Sequence, residues 1–445
     1  MSLVGKGFAE QARLIGQMLG VRNLAIAEYP GVIMNDDDRV FRERVTGPLL
    51  EQIVAGLAAQ PEATEQDAGS PAARDVVFCG ALRELSDHFY EQGWTDGLPI
   101  LPPTVDAVEA FLRFTPFPED RVLGVLLPEK REATVWSVAV NGVMAGCRPE
   151  YMPLLVAAAE AIAAPEFRIQ DAGSTPGWEP LVTVSGPIVR ALGFNYGQGA
   201  LRVGRRANTT IGRFLRLYMR NVAGLRIPAE GSTVGSDKGT IGSSFNVALA
   251  ENEDAVAELG WQPFGVERGF AAGDDVVTVR STAAVSVPIY VGGHRAVDVA
   301  ERIAEVWGRG DCARHACYGL AFGRFHPLLV LSPALARVLA RDGWTKDDLR
   351  RYLREHVTIP AGVAERDAWH AGVTEVDLYQ LAQEGHLPPE YGTSRDPDRL
   401  VPVFPDAAWI DIVVSGDPDR NQARGYVNNH RQGVPVSRLV RSVPS

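Results

Sequence analysis

Between Gly193 and Gly224 the chain reads GFNYGQGALRVGRRANTTIGRFLRLYMRNVAG, which gathers glycines, asparagines and arginines at the start of one amphipathic helix. Such a composition suits an anion pocket. Gly197, Gly199 and Gly204 let the backbone approach a ligand closely, and Asn208, Thr209 and Thr210 are expected to cap a helix whose first N–H groups are free. Arg202, Arg205 and Arg206 add charge at that mouth. A helix N-terminus with several guanidiniums favours a carboxylate or phosphate. In this reading Arg205, Arg206 and Arg213 hold the anion while Asn195 and Asn208 orient it. The competing reading is a surface helix whose arginines pair with the acids of an acidic protein.

Proton transfer needs a carboxylate tuned by its surroundings. Glu251 and Glu267 are the candidates, in LAENEDAVAELGWQPFGVERGF, with Arg268 beside them as a binding residue. A solvated acidic turn is the alternative there. Upstream, GSDKGTIGSSFN supplies Lys238 and Asn246 in a glycine-rich loop that could cradle a ligand. In NGVMAGCRPEYMP a Gly-Cys-Arg-Pro turn is expected between a strand and a helix, which makes Cys147 a candidate nucleophile and Asn141 and Arg148 candidate binding residues. A packed thiol is the competing reading, because cysteine is among the most buried residues.

Several familiar chemistries are excluded by spacing. The loop lacks the Gly-Lys-Ser/Thr ending of a P-loop, GQGALRVG is not a dinucleotide fingerprint, and neither G-x-S-x-G nor H-E-x-x-H occurs. Cys312, His315 and Cys317, with His326, lack the second tight pair of a structural zinc site. No cofactor or metal is therefore expected. The late loop SGDPDRNQARGYVNNHRQG carries Asp417, Arg420, Asn421 and His430 and could close over a ligand.

The elements that must position these groups alternate. Strand-like runs VWSVAV, PLVTVSG, VVTVRS, VSVPIYV, PLLVLS and WIDIVVSG are interspersed with helical runs MPLLVAAAEAIA, AVDVAERIAEVW, ALARVLARDGW and KDDLRRYLREH. That order predicts an α/β fold, a small N-terminal α/β module followed by a larger mixed or parallel-sheet region, with a doubly wound sheet as the default. The module is expected over residues 1–79, with a linker near 58–75, and the main region over 80–445, as one unit or two subdomains. MSLVGKGFAEQARLIGQMLG reads as a helix, NLAIAEYPG and Asp75–Cys79 as strands, and no internal repeat is evident.

At 445 residues with a net charge of −11, the chain is large enough for substantial cores and too acidic to suggest a general nucleic-acid or anionic-membrane binder. It contains no long uncharged apolar run. Four scattered cysteines suit a reducing compartment, so a cytoplasmic setting is expected, with a symmetric homodimer as the commonest assembly.

LAIAEYPG, GWTDGLPILPPT (Gly93 to Thr104), NGVMAGCRPEYMP (Asn141 to Pro153), RRANTTIGRFLRL, VERGF and VVSGDPDRNQ together resemble the bacterial UGSC proteins, named for a selenocysteine or cysteine followed by Gly-Ser-Cys. This chain has Cys79-Gly80-Ala81-Leu82 at that point, so the second sulfur is missing. The resemblance implies a sulfur-based alternative centred on Cys79 or Cys147, but it implies no reaction for the family as a whole. Arginines and asparagines beside carboxylates point to an enzyme of lyase, hydrolase or isomerase type, acting on a small acidic or amide-bearing metabolite by non-redox acid–base chemistry. A small-ligand-binding protein without catalysis is the further alternative.

Overall fold

A computed structural model describes residues 1–18, 24–31, 36–58, 74–171, 177–228, 237, 239–242, 244, 246–313, 325–370, 376–429 and 432–443. Lys238, His315, Cys317, His430 and most of the expected linker lie outside the described residues. The strands are β1 (Ser2–Gly5), β2 (Ile26–Tyr29), β3 (Val122–Leu126), β4 (Arg131–Thr134), β5 (Glu179–Ser185), β6 (Leu249–Ala250), β7 (Val276–Thr282), β8 (Ala284–Val285), β9 (Ile289–Tyr290), β10 (Leu328–Leu331), β11 (Thr358–Pro360), β12 (Leu400–Pro402), β13 (Asp411–Val414), β14 (Gln422–Val427) and β15 (Val436–Leu439). The fold is α/β. Among the described residues, no helix is long and apolar enough to cross a membrane.

The first residues form a small unit in which β1 and β2 pair in parallel and Ala27, Tyr29 and Leu49 make a separate apolar cluster. Its opening segment is a strand followed by the helix Ala9–Met18, where a single helix was expected. Asp75–Cys79 is not a strand.

The main region contains two mixed sheets, ordered β15-β7-β5-β6 and β13-β10-β14-β8, with β9 also on β14. A single parallel sheet is thereby replaced, and the reason is a repeat. A helix (Met152–Ala163), β5, the helices Ile188–Ala191 and Arg206–Tyr218, β6 and β7 are followed by a helix (Ala296–Ile303), β10, the helices Pro333–Arg341 and Lys346–His356, β13 and β14. In both halves the first strand pairs in parallel with the second and antiparallel with the third. The run Pro180-Leu-Val-Thr-Val-Ser185 answers Pro327-Leu-Leu-Val-Leu-Ser332. The expectation of no repeat fails because what repeats is topology and a short apolar pattern.

The halves also exchange strands. β8 follows β7 directly yet pairs with β14, and β15 follows β14 yet pairs with β7. Each half has its own core of helices on one sheet face. Leu181, Leu249, Leu328, Val330, Val413 and Tyr426 from strands of both sheets, with Phe264 at the start of the helix Phe264–Glu267, form a third cluster.

VWSVAV, expected as a strand, forms the first turns of the helix Val135–Ala145, whose first turn is closed by the Thr134 hydroxyl accepting from the Ser137 amide at 3.1 Å. A short run apolar on every side fits a buried helix as well as a strand. Gly142 allows that helix to pack tightly, since a Cβ there would stand 2.8 Å from Leu155 and 2.9 Å from Phe111. The Cys147 turn therefore joins two helices. VSVPIYV splits into β8 and β9, with Pro288 between them.

Candidate functional site

The helix expected to carry the anion begins at Arg206, with Arg205 as its N-cap. Asn208, Thr209 and Thr210 thus lie inside the helix, within its first turn or just beyond it, and do not cap it. Asn208 is fully buried, where its side chain accepts from the Asn195 amide (2.8 Å) and donates to the carbonyls of Asn195 (3.0 Å) and Ala248 (2.9 Å). A buried amide with all these partners is a structural peg. It ties the Asn195–Ala200 loop to the segment that enters β6.

Both of those segments border a cleft of about 910 Å³ between the two halves. Its walls are the Gln198–Val203 loop, Ser244, Asn246, Val247, Leu181 and Leu249 from the first half, Val285 of β8, and Val330, Ser332, Ser415, Gly416, Asp417, Arg420, Gln422, Ala423, Arg424 and Tyr426. Gly199, in the first wall, has φ of +72°, a conformation in which a side chain would be strained. The volume lies in the range of small-molecule sites. Three arginines line the cleft, and Arg424 decides its character. It is half-buried on an interior strand, between β10 and β8, and has no carboxylate partner among the described residues. Arg202 also lacks one. Arg420 stands 4.0 Å from Asp417, the one carboxylate on these walls among the described residues.

Of the residues picked out in the sequence, Gly199, Arg202, Asn246, Asp417 and Arg420 line this cleft, and the other described ones occupy different places. Arg213 forms a two-pronged pair with Asp96 (2.9 and 2.8 Å) and also donates to the Pro99 carbonyl, fastening the GWTDGLP segment to its helix. Burial pushes the Asp96 carboxyl up, but the guanidinium outweighs it and holds the group below the usual carboxylate range. Arg206 donates to the Gly146 carbonyl at 3.1 Å, while Arg205 and Arg148 are exposed. Asn141 is buried between the Ser137 carbonyl and the Asn221 amide. Arg268 donates to Ser437 Oγ and the Pro435 carbonyl.

Glu251 and Glu267 form a buried ionic cluster with Lys346 and Arg350. Lys346 Nζ reaches Glu251 at 3.4 Å and Glu267 at 3.1 Å, and Arg350 meets Glu267 at 3.1 Å. Burial pushes the Glu251 carboxyl up to about 7, against the pull of Lys346 and of the Phe264 amide. This carboxylate has the tuning expected of a proton carrier, yet it is absent from the cleft walls.

Cys147 is buried, and its thiol donates to the Thr210 carbonyl at 3.4 Å. Burial pushes this thiol up to about 12, whereas a nucleophile would need it lowered. Iodoacetamide on the native protein is expected to label exposed Cys79 and to reach buried Cys147 and Cys312 only after denaturation, as read by peptide mass spectrometry. Native labelling of Cys147 would reinstate it as a nucleophile. Among the described residues, no group of three or more His, Cys, Asp and Glu side chains converges on a metal position.

Sequence reasoning missed Ser332, Ser415, Gln422, Arg424, Lys346 and Arg350. An arginine among Ala423, Gly425, Tyr426 and Val427 was the available signal for Arg424; KDDLRRYLREH gave none for Lys346, because it reads as a solvated helix. No protein-family profile matches the chain, and no curated protein or solved structure is significantly similar to it.

Proposed function

We propose that this protein is an enzyme that takes a small anionic metabolite into the cleft between its halves and acts on it by non-redox acid–base chemistry. The observation that carries this reading is the unpartnered, half-buried Arg424 on the cleft wall. A guanidinium withdrawn from bulk water without a counter-charge favours a bound carboxylate or phosphate, with which it can form two parallel hydrogen bonds. Arg202 and Arg420 add positive charge around the same space. Asp417 is the wall carboxylate available to move a proton, and the Ser332 hydroxyl, which accepts from the Leu335 and Gln422 amides at 3.4 Å each, keeps its proton to donate to a polar group of the substrate. Lyase, hydrolase and isomerase reactions all fit this set. Membership of the UGSC family belongs to the same proposal; two of the motifs carrying it meet the Arg206–Tyr218 helix through the Arg213–Asp96 and Arg206–Gly146 contacts.

Isothermal titration with inorganic phosphate and a panel of small carboxylates tests the binding half of this reading. Arg424→Gln is expected to weaken the best anion roughly 10- to 100-fold, the worth of a charged hydrogen-bonded pair. Asp417→Asn is expected to lower turnover of that ligand while leaving its affinity nearly intact. Unchanged affinity in Arg424→Gln would remove the cleft as the anion site.

A further inference from the structure

The repeat gives the cleft residues on the strands counterparts in the other half, and there the counterpart of the cleft is filled. Strand register sets the correspondence. Leu181 pairs with Arg280 and Thr183 with Thr278 in one sheet, as Leu328 pairs with Tyr426 and Val330 with Arg424 in the other. The Glu251 amide donates to the Val184 carbonyl (3.0 Å) as the Ser415 amide donates to the Leu331 carbonyl (2.9 Å). By the same count Ser332 answers to Ser185, Gln422 to Val276 and Arg424 to Thr278.

Where Ser332, Gln422 and Arg424 border open space, their counterparts are covered by the segment Phe264–Arg268. A Cβ on Gly265 would stand 2.9 Å from Ser185 Oγ and 3.2 Å from Val276, so the backbone of this segment rests directly on both. Arg268 donates to Ser437 Oγ (3.1 Å), which lies 2.8 Å from Thr278 Oγ1, and its guanidinium faces Asp411 at 3.6 Å. Phe264 is 1% exposed and belongs to the cluster shared by Leu181, Leu249, Val330 and Tyr426. The occupant of the filled site therefore combines an apolar ring with a cation that meets a carboxylate on the wall.

The filled site's carboxylate, Asp411, is also paired with buried Arg280 at 2.6 Å, whereas the open cleft has no carboxylate at the matching position and presents a cation without a counter-charge among the described residues. Asp411 lies opposite Leu328, and the same register puts Val247 at the corresponding position opposite Leu181, while the cation Arg424 stands where the filled site has Thr278. We propose that the cleft accepts an apolar-bodied carboxylate, with an aromatic or branched aliphatic body on Leu181, Leu249 and Val330 and its carboxylate on Arg424. This inference rests on the anion-cleft reading and narrows it to a substrate class.

Titration calorimetry of the full chain with 3-phenylpropionate, propionate and inorganic phosphate separates the two ideas. The wild type is expected to bind 3-phenylpropionate roughly 10- to 100-fold more tightly than propionate, the gain from burying one aromatic ring. Arg424→Gln is expected to weaken both carboxylates by the same roughly 10- to 100-fold given above. Val330→Ala, its fold checked by circular dichroism, is expected to weaken 3-phenylpropionate roughly threefold to tenfold and leave phosphate unaffected. Equal affinity for the two carboxylates, or binding of phosphate alone, in each case weakened in Arg424→Gln, would overturn the apolar-body inference and leave the anion cleft standing. Absence of binding by all three would overturn both.

Discussion

Replacing Lys346 by methionine is expected to destabilise the protein by about 3–5 kcal/mol near pH 8, the cost of removing one partner from a buried ion pair. Its side chain is 3% exposed and sits between Glu251, which is fully buried, and Glu267, so its loss leaves a buried carboxylate without a counter-charge. Glu267 keeps Arg350, whereas Glu251 keeps only the Phe264 amide, which it accepts at 2.6 Å. The effect depends on pH in a defined direction. The folded-state value of Glu251, about 7, lies above its ordinary 4.5, so the folded state holds the proton more tightly than the unfolded chain. The stability this contributes is fully present below the unfolded value and is lost as pH rises through about 7. Loss of Lys346 raises the group further, because the cation is what favours its charged form. The damage should therefore be smallest near pH 5, where Glu251 can take up a proton, and largest near pH 8. Urea unfolding of Lys346→Met at both pH values reads this directly, and equal midpoints to wild type at pH 8 would show that the cluster carries no net stability. Glu251→Gln should flatten the wild-type stability profile between the same two pH values.

The second large effect is expected at Gly212, in the middle of the Arg206–Tyr218 helix. A Cβ there would lie 2.3 Å from the Asn246 carbonyl oxygen and 2.7 Å from the Val247 amide nitrogen. These are backbone atoms of a segment that lines the cleft, so no flexible side chain can swing aside to make room. Gly212→Ala should cost about 3 kcal/mol, the upper end for overpacking, even though alanine is the better helix former. Relief of the clash requires Asn246 and Val247 to move. The same substitution should therefore weaken anion binding several-fold, an effect that a purely local loss of stability would not produce. Thermal unfolding together with phosphate titration tests both parts, and a variant with wild-type values in each would show that the segment yields freely.

These two positions illustrate how far the chain could be read before folding. The helix containing Gly212 was legible from its apolar spacing, because Ile211, Phe214, Leu215 and Tyr218 recur on one face and all are buried. Its glycine could be seen, but the atom pressing on it comes from a strand entry thirty-odd residues away. The arginines on its other face were legible as charge; that Arg213 belongs to Asp96 and Arg216 to Glu179 depends on packing. Lys346 looked solvated because its neighbours Asp347, Asp348, Arg351 and Arg354 are polar, and local pattern carries no trace of a carboxylate ninety-five positions upstream.

What the sequence by itself determined is the α/β character, most of the strands and helices, and the loops rich in glycine and polar groups. These follow from periodicity and turn residues acting over a few positions. Three of the loops singled out as ligand-facing, around Gln198, Asn246 and Asp417, do border one cleft. Only the tertiary structure decided that they meet, that the fold is a strand-exchanged repeat, and that Arg424 stands without a counter-charge while Arg205, Arg206 and Arg213 lie elsewhere. Those outcomes depend on contacts between the two halves, which are set by sheet pairing and burial across a long separation in the chain. Local spacing cannot encode which charge will find a partner, because the partner is chosen by the fold.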